Sequence, residues 1–110
     1  MKNSIDDVLS MLVCKTKEIF NEKLNSVILF GSYARGDYDD ESDIDILVIA
    51  DVSAAEIGAY RSAVDSMCGT LLYEFGIVVS VIEKDSETYN RYKTKLPFYM
   101  NIEAEGKRIA

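Results

Sequence analysis

The sequence predicts an α+β fold, in which a small mixed or antiparallel sheet is covered by helices on one face. Short apolar runs typical of buried strands occupy residues 27–30, 43–50 and 77–82. Helical spacing of apolar residues precedes the first run and separates the second from the third. Because these patterns follow one another without a repeat or a linker, we expect a single packed unit.

Length and composition set limits on what this unit can be. The chain has 110 residues, so we expect one domain over residues 1–110. Nineteen acidic residues against twelve basic ones give a net charge of −7, which disfavours general nucleic-acid binding. The sequence contains no histidine, which excludes histidine-based catalysis and zinc sites that need imidazole. Any chemistry must use carboxylates, hydroxyls, lysine, arginine or the backbone.

The cysteines and the N-terminus indicate a reducing compartment. Cys14 and Cys68 lie far apart among apolar residues, and we expect both to be reduced thiols that fill the core. Asp6 and Asp7 interrupt any apolar signal core near the N-terminus. No apolar run approaches the roughly 18 to 20 residues of a membrane span. We therefore expect a soluble cytoplasmic protein without a membrane partner.

The first half of the chain predicts a helix followed by a strand. Apolar residues recur at helical spacing over residues 4–22, and Ser4 is a suitable N-cap. The fully apolar run at residues 27–30 predicts a buried strand. Gly31 and Ser32 end this strand abruptly.

The middle of the chain predicts a second strand and a second long helix. A polar loop precedes the strand at residues 43–50. Ser53 and Glu56 have the spacing of a capping box, which predicts that a helix opens there. Gly76 suits a left-handed cap at its end.

The C-terminal part predicts a third strand and short helices. Residues 77–82 are rich in β-branched side chains, as expected for a strand. A polar helical turn follows Asp85, and Pro97 suits the first position of a short helix that reaches Glu105. Gly106 is expected to end this helix.

Two acidic residues open the second strand. Asp43 and Asp45 are two positions apart, so both carboxylates project from one face, roughly 7 Å apart at the backbone. Two like charges beside an apolar core raise each other's pKa and destabilise the fold. A divalent cation between them reverses this effect, and Mg²⁺ prefers one or two carboxylates together with phosphate oxygens. The pair therefore predicts a metal site.

The turn after the first strand predicts a phosphate site. Gly31 lets the backbone approach a ligand closely, and free N–H groups in the following turn favour an anion. Ser32 adds a hydroxyl donor, and Arg35 lies one turn later. For Arg35 the alternative is an ordinary ion pair with Asp37 or Glu41.

Two further groups of residues allow alternative interpretations. Tyr33 and Tyr38 either contact a nucleobase or are ordinary loop tyrosines. Arg91, Lys93 and Lys95 form either a solvated basic face or a patch for a triphosphate or an acidic partner.

The glycine-serine turn and the paired strand carboxylates together resemble the signature of the DNA polymerase β-type nucleotidyltransferase superfamily. The short length and the residues 30–37, Phe-Gly-Ser-Tyr-Ala-Arg-Gly-Asp, resemble its minimal, MNT-type branch. The resemblance extends over about residues 24–106 and includes the closing segment at residues 96–106. It implies the polymerase β-like nucleotidyltransferase fold.

The resemblance also implies an activity. ATP or another NTP would place its phosphates on Gly31 and Ser32, while Asp43 and Asp45 would hold Mg²⁺, in a two-metal site if a second ion binds. An acceptor hydroxyl would attack the α-phosphorus and expel pyrophosphate. Minimal members commonly pair with a HEPN-domain protein as toxin and antitoxin, and some transfer AMP to a tyrosine of that partner. A leftover apolar helix stripe would suit a partner or a homo-oligomer.

One position departs from the family pattern. The superfamily places a third carboxylate on a later strand, where this chain has Ser80. Serine is a poor Mg²⁺ ligand and no base at neutral pH. Glu83 is an odd number of residues away and in a regular strand faces the opposite side. A bulge in the strand, or Asp37, Asp39 or Glu41 from the loop, could compensate. The alternative function is a catalytically degenerate, antitoxin-like module that acts by contact.

Overall fold

The computed structural model describes residues 5–110 and confirms the α+β fold. The helices are α1 (Ile5–Phe20), α2 (Ser32–Arg35), α3 (Arg61–Phe75), α4 (Ser86–Tyr92) and α5 (Pro97–Glu105). The strands are β1 (Leu24–Phe30), β2 (Ile44–Ala50), β3 (Val79–Asp85) and β4 (Lys107–Arg108). They form one mixed sheet in the order β3-β2-β1-β4, with β1 antiparallel to β2 and β4, and β2 parallel to β3.

The central strand explains why its sequence is apolar at almost every position. β2 lies between β1 and β3, and Ile46, Leu47 and Val48 are all fully buried although they alternate between the two faces. A strand can be buried on both sides only when both faces of the sheet are covered. The apolar run of β2 is therefore explained by a three-layer arrangement, in which the sheet lies between two layers of helices.

Helices cover both faces of the sheet, so the prediction of helices on one face was wrong. α1 and α3 pack on one face, where Leu12 and Phe20 join Ile46 in the larger core cluster. On the other face α4 and α5 place Tyr89, Tyr99 and Ile102 against Leu47 and Ile49. The two C-terminal helices are short, and their apolar spacing is too brief to show in advance which face they cover.

The start of β1 differs from the prediction. The strand begins at Leu24, three residues earlier than expected, and the polar residues Asn25 and Ser26 lie within it. The pairing with β2 shifts register between Leu24 and Ser26, as a β-bulge does. The expected N-cap, Ser4, lies outside the described residues.

The second long helix begins later than its capping signal. Glu56 N–H donates to Ser53 Oγ at 3.2 Å, and Ser53 Oγ donates to Glu56 Oε1 at 2.9 Å. This pair closes a turn before a 3-10 segment, Ile57–Tyr60, and α3 starts only at Arg61. The predicted left-handed cap is confirmed, since Gly76 has φ of 67°.

The prediction that Gly106 ends α5 is confirmed, and its φ is −69°. A Cβ there would lie 2.5 Å from Ile102 O and 2.7 Å from Ile28 Cγ2, so close packing against β1 requires glycine. The prediction that both cysteines fill the core was wrong for Cys14, which is exposed. Cys68 is half-buried, and burial raises the pKa of its thiol.

No helix between residues 5 and 110 has the length and apolarity needed to cross a bilayer.

Candidate functional site

The antiparallel pairing of β1 and β2 brings the two predicted motifs together. Phe30, the last residue of β1, pairs with Asp45 near the start of β2. Gly31 and Ser32 follow directly, so the glycine-serine turn lies beside the carboxylate although the two motifs are separated by a loop in the sequence. The hairpin geometry positions both halves of the candidate site.

Gly31 is required by its φ and by its neighbour. Its φ of 74° lies in the region that L side chains rarely adopt. A Cβ at this position would also overlap Asp45 Oδ2 and lie 3.1 Å from Asp45 Cγ. The missing side chain makes the space in which the Asp45 carboxylate lies.

The turn after Gly31 is a single turn of helix, α2. The N–H groups of Ala34 and Arg35 both donate to Gly31 O at 3.1 Å, and buried Ala34 anchors the turn to the core. The N–H groups of Ser32 and Tyr33, which open the turn, have no intrahelical acceptor. Gly36, with φ of 84°, ends the turn.

The carboxylate of Asp45 lies in β2, and that of Asp43 directly precedes the strand. Asp45 is half-buried, and burial raises the pKa of its carboxyl above the ordinary value. The negative charge of Asp43 raises this pKa further, and the positive charge of Arg35 partly opposes both effects. Asp43 is exposed. Among residues 5–110, no lysine or arginine forms an ion pair with either carboxylate.

Asp45 opens into a cleft of about 360 Å³ between α2 and α5. Four of the five predicted site residues line it. The full lining consists of Phe30, Gly31, Ser32, Arg35, Asp45, Phe98, Asn101, Ile102 and Glu105. Asp43, the fifth predicted residue, precedes β2 and does not line this cleft.

The α5 wall of the cleft was missed by the sequence analysis. Phe98, Asn101 and Glu105 face the cleft, and the ring of Phe98 packs edge-on against Phe30 with centroids 5.8 Å apart. Their spacing of three and four residues is the signal that could have found them, because it places all three on one helix face. A nine-residue helix shows this spacing too briefly to mark it as functional.

Arg35 has partners within the protein. Its Nε lies 3.2 Å from Asp37 Oδ2, which is the ion pair given as the alternative to phosphate contact, while Glu41 is not a partner. Its Nη1 lies 3.5 Å from Glu105 Oε2, so Arg35 links α2 to α5 across the cleft. Both ion pairs are exposed to solvent and therefore weak enough for a bound anion to replace.

The tyrosines of the turn lie elsewhere. Tyr33 and Tyr38 stack on each other with ring centroids 4.2 Å apart. They line a separate groove with Phe75, and neither contributes to the cleft that contains Asp45. The structure does not bring them to a position for contact with a ligand in that cleft.

The position of the expected third carboxylate follows the predicted register. Ser80 pairs with Asp45 across the parallel strands β2 and β3, and it is exposed. Glu83 points to the α3 side, where it lies 2.8 Å from Arg61. Between residues 5 and 110 no three carboxylate or thiol groups form a cluster suited to a metal ion. The loop acids Asp37, Asp39 and Glu41 do not line the cleft that contains Asp45.

Comparison with known proteins identifies the class of this chain. Residues 13–109 match the family described as the nucleotidyltransferase domain, and the chain belongs to that family. A Methanocaldococcus jannaschii protein named as a protein adenylyltransferase is 38% identical over 91 residues, which cover 83% of each chain. The resemblance to nucleotidyltransferases seen in the motifs is confirmed.

Solved structures confirm the fold. One is a crystal structure of a toxin–antitoxin complex with AMP-PNP, with a TM-score of 0.58, 18% identity, and coverage of 92% of this chain and 71% of that chain. Another is the tri-AMPylated HEPN toxin of Shewanella oneidensis in complex with its MNT antitoxin. There the TM-score is 0.50 at 18% identity, with coverage of 96% of this chain and 67% of that chain.

Proposed function

We propose that this nucleotidyltransferase-family protein transfers AMP from ATP to a hydroxyl group of a partner protein in a Mg²⁺-dependent reaction. The observation that carries the proposal is the contact between Gly31 and the carboxylate of Asp45, which joins the phosphate-binding turn and the carboxylate pair in one cleft. The relative named as a protein adenylyltransferase supports a protein acceptor.

The donor atoms fit Mg²⁺. Asp43 and Asp45 supply carboxylate oxygens, which this ion prefers, and neither forms an ion pair among the described residues. Both carboxylates would hold the metal. When bound, the ion neutralises the carboxylates and the charge that develops on the phosphates.

The residues of the turn would hold the triphosphate. The N–H groups that open α2 and the hydroxyl of Ser32 donate hydrogen bonds to phosphate oxygens. Arg35 exchanges its contacts with Asp37 and Glu105 for the phosphate. The acceptor oxygen then forms a bond to the α-phosphorus and gives up its proton to solvent, while the bond from the α-phosphorus to the departing pyrophosphate breaks. The protein contributes by positioning and charge neutralisation.

The proposed partner is a HEPN-domain protein, with this chain as the antitoxin of the pair in the cytoplasm. Support comes from the structural neighbours, which are antitoxin chains in toxin–antitoxin complexes. In one of those complexes the HEPN toxin is AMPylated.

Calorimetric titration of Mg-ATP tests the site. We expect wild type to bind and Asp43→Asn/Asp45→Asn to lose at least about tenfold in affinity, because each lost carboxylate removes a metal ligand. Asp40→Asn/Glu41→Gln is the matched control, since it removes two charges from the neighbouring exposed loop. Equal binding by all three proteins, or none by wild type, would contradict the proposal.

Ser80 supports a second candidate, a catalytically degenerate antitoxin that acts by contact. A hydroxyl stands opposite Asp45 where the family has a carboxylate. Transfer of labelled AMP to the HEPN partner separates the two functions. Transfer that Asp45→Ala abolishes supports catalysis, whereas neutralisation of the partner without transfer, preserved in Asp45→Ala, supports contact alone.

A further inference from the structure

The α5 wall of the cleft belongs to a segment with an unusual charge. All nineteen acidic residues of the chain lie outside residues 88–102, whereas three of the twelve basic residues, Arg91, Lys93 and Lys95, lie inside. This segment is therefore cationic in a chain whose net charge is −7. A local charge opposite to that of the whole protein favours a local, oriented contact.

Two of these charges are available to a partner. Arg91 is engaged by Glu87, with Nη2 to Oε1 at 3.0 Å. Lys93 and Lys95 form no ion pair within 4.0 Å with any residue of the described range. Both lysines directly precede α5, whose residue Phe98 lines the cleft, and the half-buried Lys93 also lines a neighbouring cavity of about 300 Å³.

The same segment exposes large apolar side chains. Leu96, Phe98 and Met100 are 43%, 46% and 46% exposed, and they are three of the seven exposed large hydrophobic residues of the described range. Phe98 lines the cleft, and Leu96 and Met100 are exposed two residues before and after it in the chain. Exposed apolar residues that cluster beside a site are typical of docking surfaces.

We propose that Lys93, Lys95, Leu96, Phe98 and Met100, called here the α5 rim, dock the acceptor protein through a segment that carries acidic residues beside apolar ones. The inference rests on the proposed function only in the assumption that the docked segment brings its hydroxyl to the cleft. The apolar residues anchor the segment, and the lysines orient it. The acidic residues of the loop at residues 37–43 repel the same segment, so the segment is favoured in the orientation that keeps its acidic residues at the lysines.

Binding of two short fluorescein-labelled peptides to the whole chain, with Mg²⁺ and a nonhydrolysable ATP analogue present, tests the rim. Both peptides carry one tyrosine with leucine and phenylalanine beside it; one is flanked by aspartate and glutamate, the other by lysine and arginine. We expect the acidic peptide to bind at least about tenfold more tightly in low salt, measured by fluorescence anisotropy.

Matched variants separate the rim from the net charge. Lys93→Glu/Lys95→Glu reverses the preference, whereas Lys17→Glu/Lys23→Glu, the same charge change at two exposed lysines of α1 and the following turn, keeps it. Leu96→Ser/Met100→Ser weakens the acidic peptide by about tenfold. Leu72→Ser/Tyr73→Ser, which changes exposed apolar residues of α3, leaves its affinity unchanged.

Several outcomes overturn the proposal. They are equal affinity for the two peptides, binding of neither below about 1 mM, and a preference that survives Lys93→Glu/Lys95→Glu. A loss of Mg-ATP affinity in that variant assigns the lysines to the triphosphate, and a changed oligomeric state assigns the rim to a second copy of the chain. Labelled-ATP transfer keeps the two proposals apart: binding of the acidic peptide without AMP transfer contradicts the proposed function alone, and transfer with equal peptide affinities contradicts the rim alone.

Discussion

The two faces of the sheet each carry a carboxylate with a different environment: Glu83 on β3 is paired with a cation, and Asp45 on β2 is not paired within the described part of the chain. On the α1–α3 face the side chain of Glu83 is 8% exposed, and Arg61 neutralises it at 2.8 Å. On the α4–α5 face Asp45 is half-buried and has no cation in ion-pair contact within the described range. A buried charge is tolerated when it is paired, so the unpaired Asp45 marks the face that is left open for a ligand.

The hydrophobic core is also larger on the α1–α3 face than on the α4–α5 face. Leu12, Phe20 and Val64 are almost completely buried on the α1–α3 face, which forms the larger core. The α4–α5 face has a smaller core, and next to Ile102 it opens into the site cleft of about 360 Å³ and a second cavity of about 300 Å³. Cavities of about 620 Å³ and 420 Å³ also border α1, so the faces differ in the size of their cores and in the pairing of their carboxylates, not in the presence of accessible space.

Removal of Arg61 gives the largest expected loss of stability, because it removes the cation that neutralises Glu83 on the α1–α3 face. Besides Glu83, Arg61 Nη1 donates to Val81 O at 3.1 Å, and it thereby covers a carbonyl of the edge strand β3. Arg61→Met leaves Glu83 unpaired, and its Oε1 already lacks a hydrogen-bond partner. We expect a loss of about 1–3 kcal/mol in urea unfolding, less than for a fully buried pair because Arg61 is exposed.

The control for this variant is Arg91→Met. Arg91 also forms an ion pair, with Glu87, but both side chains are exposed, and such pairs contribute at most about 0.5 kcal/mol. Adding Glu83→Gln to Arg61→Met should restore part of the stability, since it removes the uncompensated charge. Equal losses for Arg61→Met and Arg91→Met would show that burial of Glu83 does not matter.

A carboxylate added beside Asp45 on the α4–α5 face should increase the rate of the proposed AMP transfer. Ser80 pairs with Asp45, so Ser80→Asp supplies an acidic side chain at the position where the family resemblance implies a third carboxylate. We expect the rate of AMP transfer to rise at least about tenfold, measured with labelled ATP and the protein partner.

Ser80→Asn is the matched control, because it has the same shape as aspartate without the charge. It should leave the rate within about twofold of wild type. Similar rates for the aspartate and asparagine variants would show that Ser80 is not the position of a missing metal ligand or base.

The parts of the site that depend on local geometry could be predicted from the sequence, and those that depend on distant contacts could not. The alternation of side chains along a strand is local, so it placed Asp43 and Asp45 together and put Glu83 on the opposite side. Gly31 and Asp45 are separated in the sequence, and the β1–β2 hairpin brings them together. The combination of the two motifs already suggested that they form one site. The approach of α5 to the cleft depends on contacts between distant parts of the chain, and the spacing that places Glu105 there occurs in any amphipathic helix.

The smallest predicted effect reverses the usual sign of a mutation at a candidate catalytic residue. The folded state holds the pKa of Asp45 above its ordinary value, first through burial and then through the charge of Asp43. A carboxyl whose folded pKa is raised stabilises the fold below its unfolded pKa, and this contribution is lost as pH rises through the folded pKa. At neutral pH the ionised Asp45 therefore destabilises the ligand-free protein.

Asp45→Asn should accordingly raise the melting temperature of the ligand-free protein by about 1–3 °C at pH 7, a modest shift because solvent screens a half-buried group. The difference from wild type should shrink as pH falls through the folded pKa of Asp45, where both side chains are neutral, whereas Asp40→Asn in the exposed loop should show neither effect. Scanning calorimetry across this pH range measures both quantities. A lower melting temperature for Asp45→Asn at pH 7 would mean that an internal cation already compensates Asp45, and the two faces would then not differ in the way that assigns function to one of them.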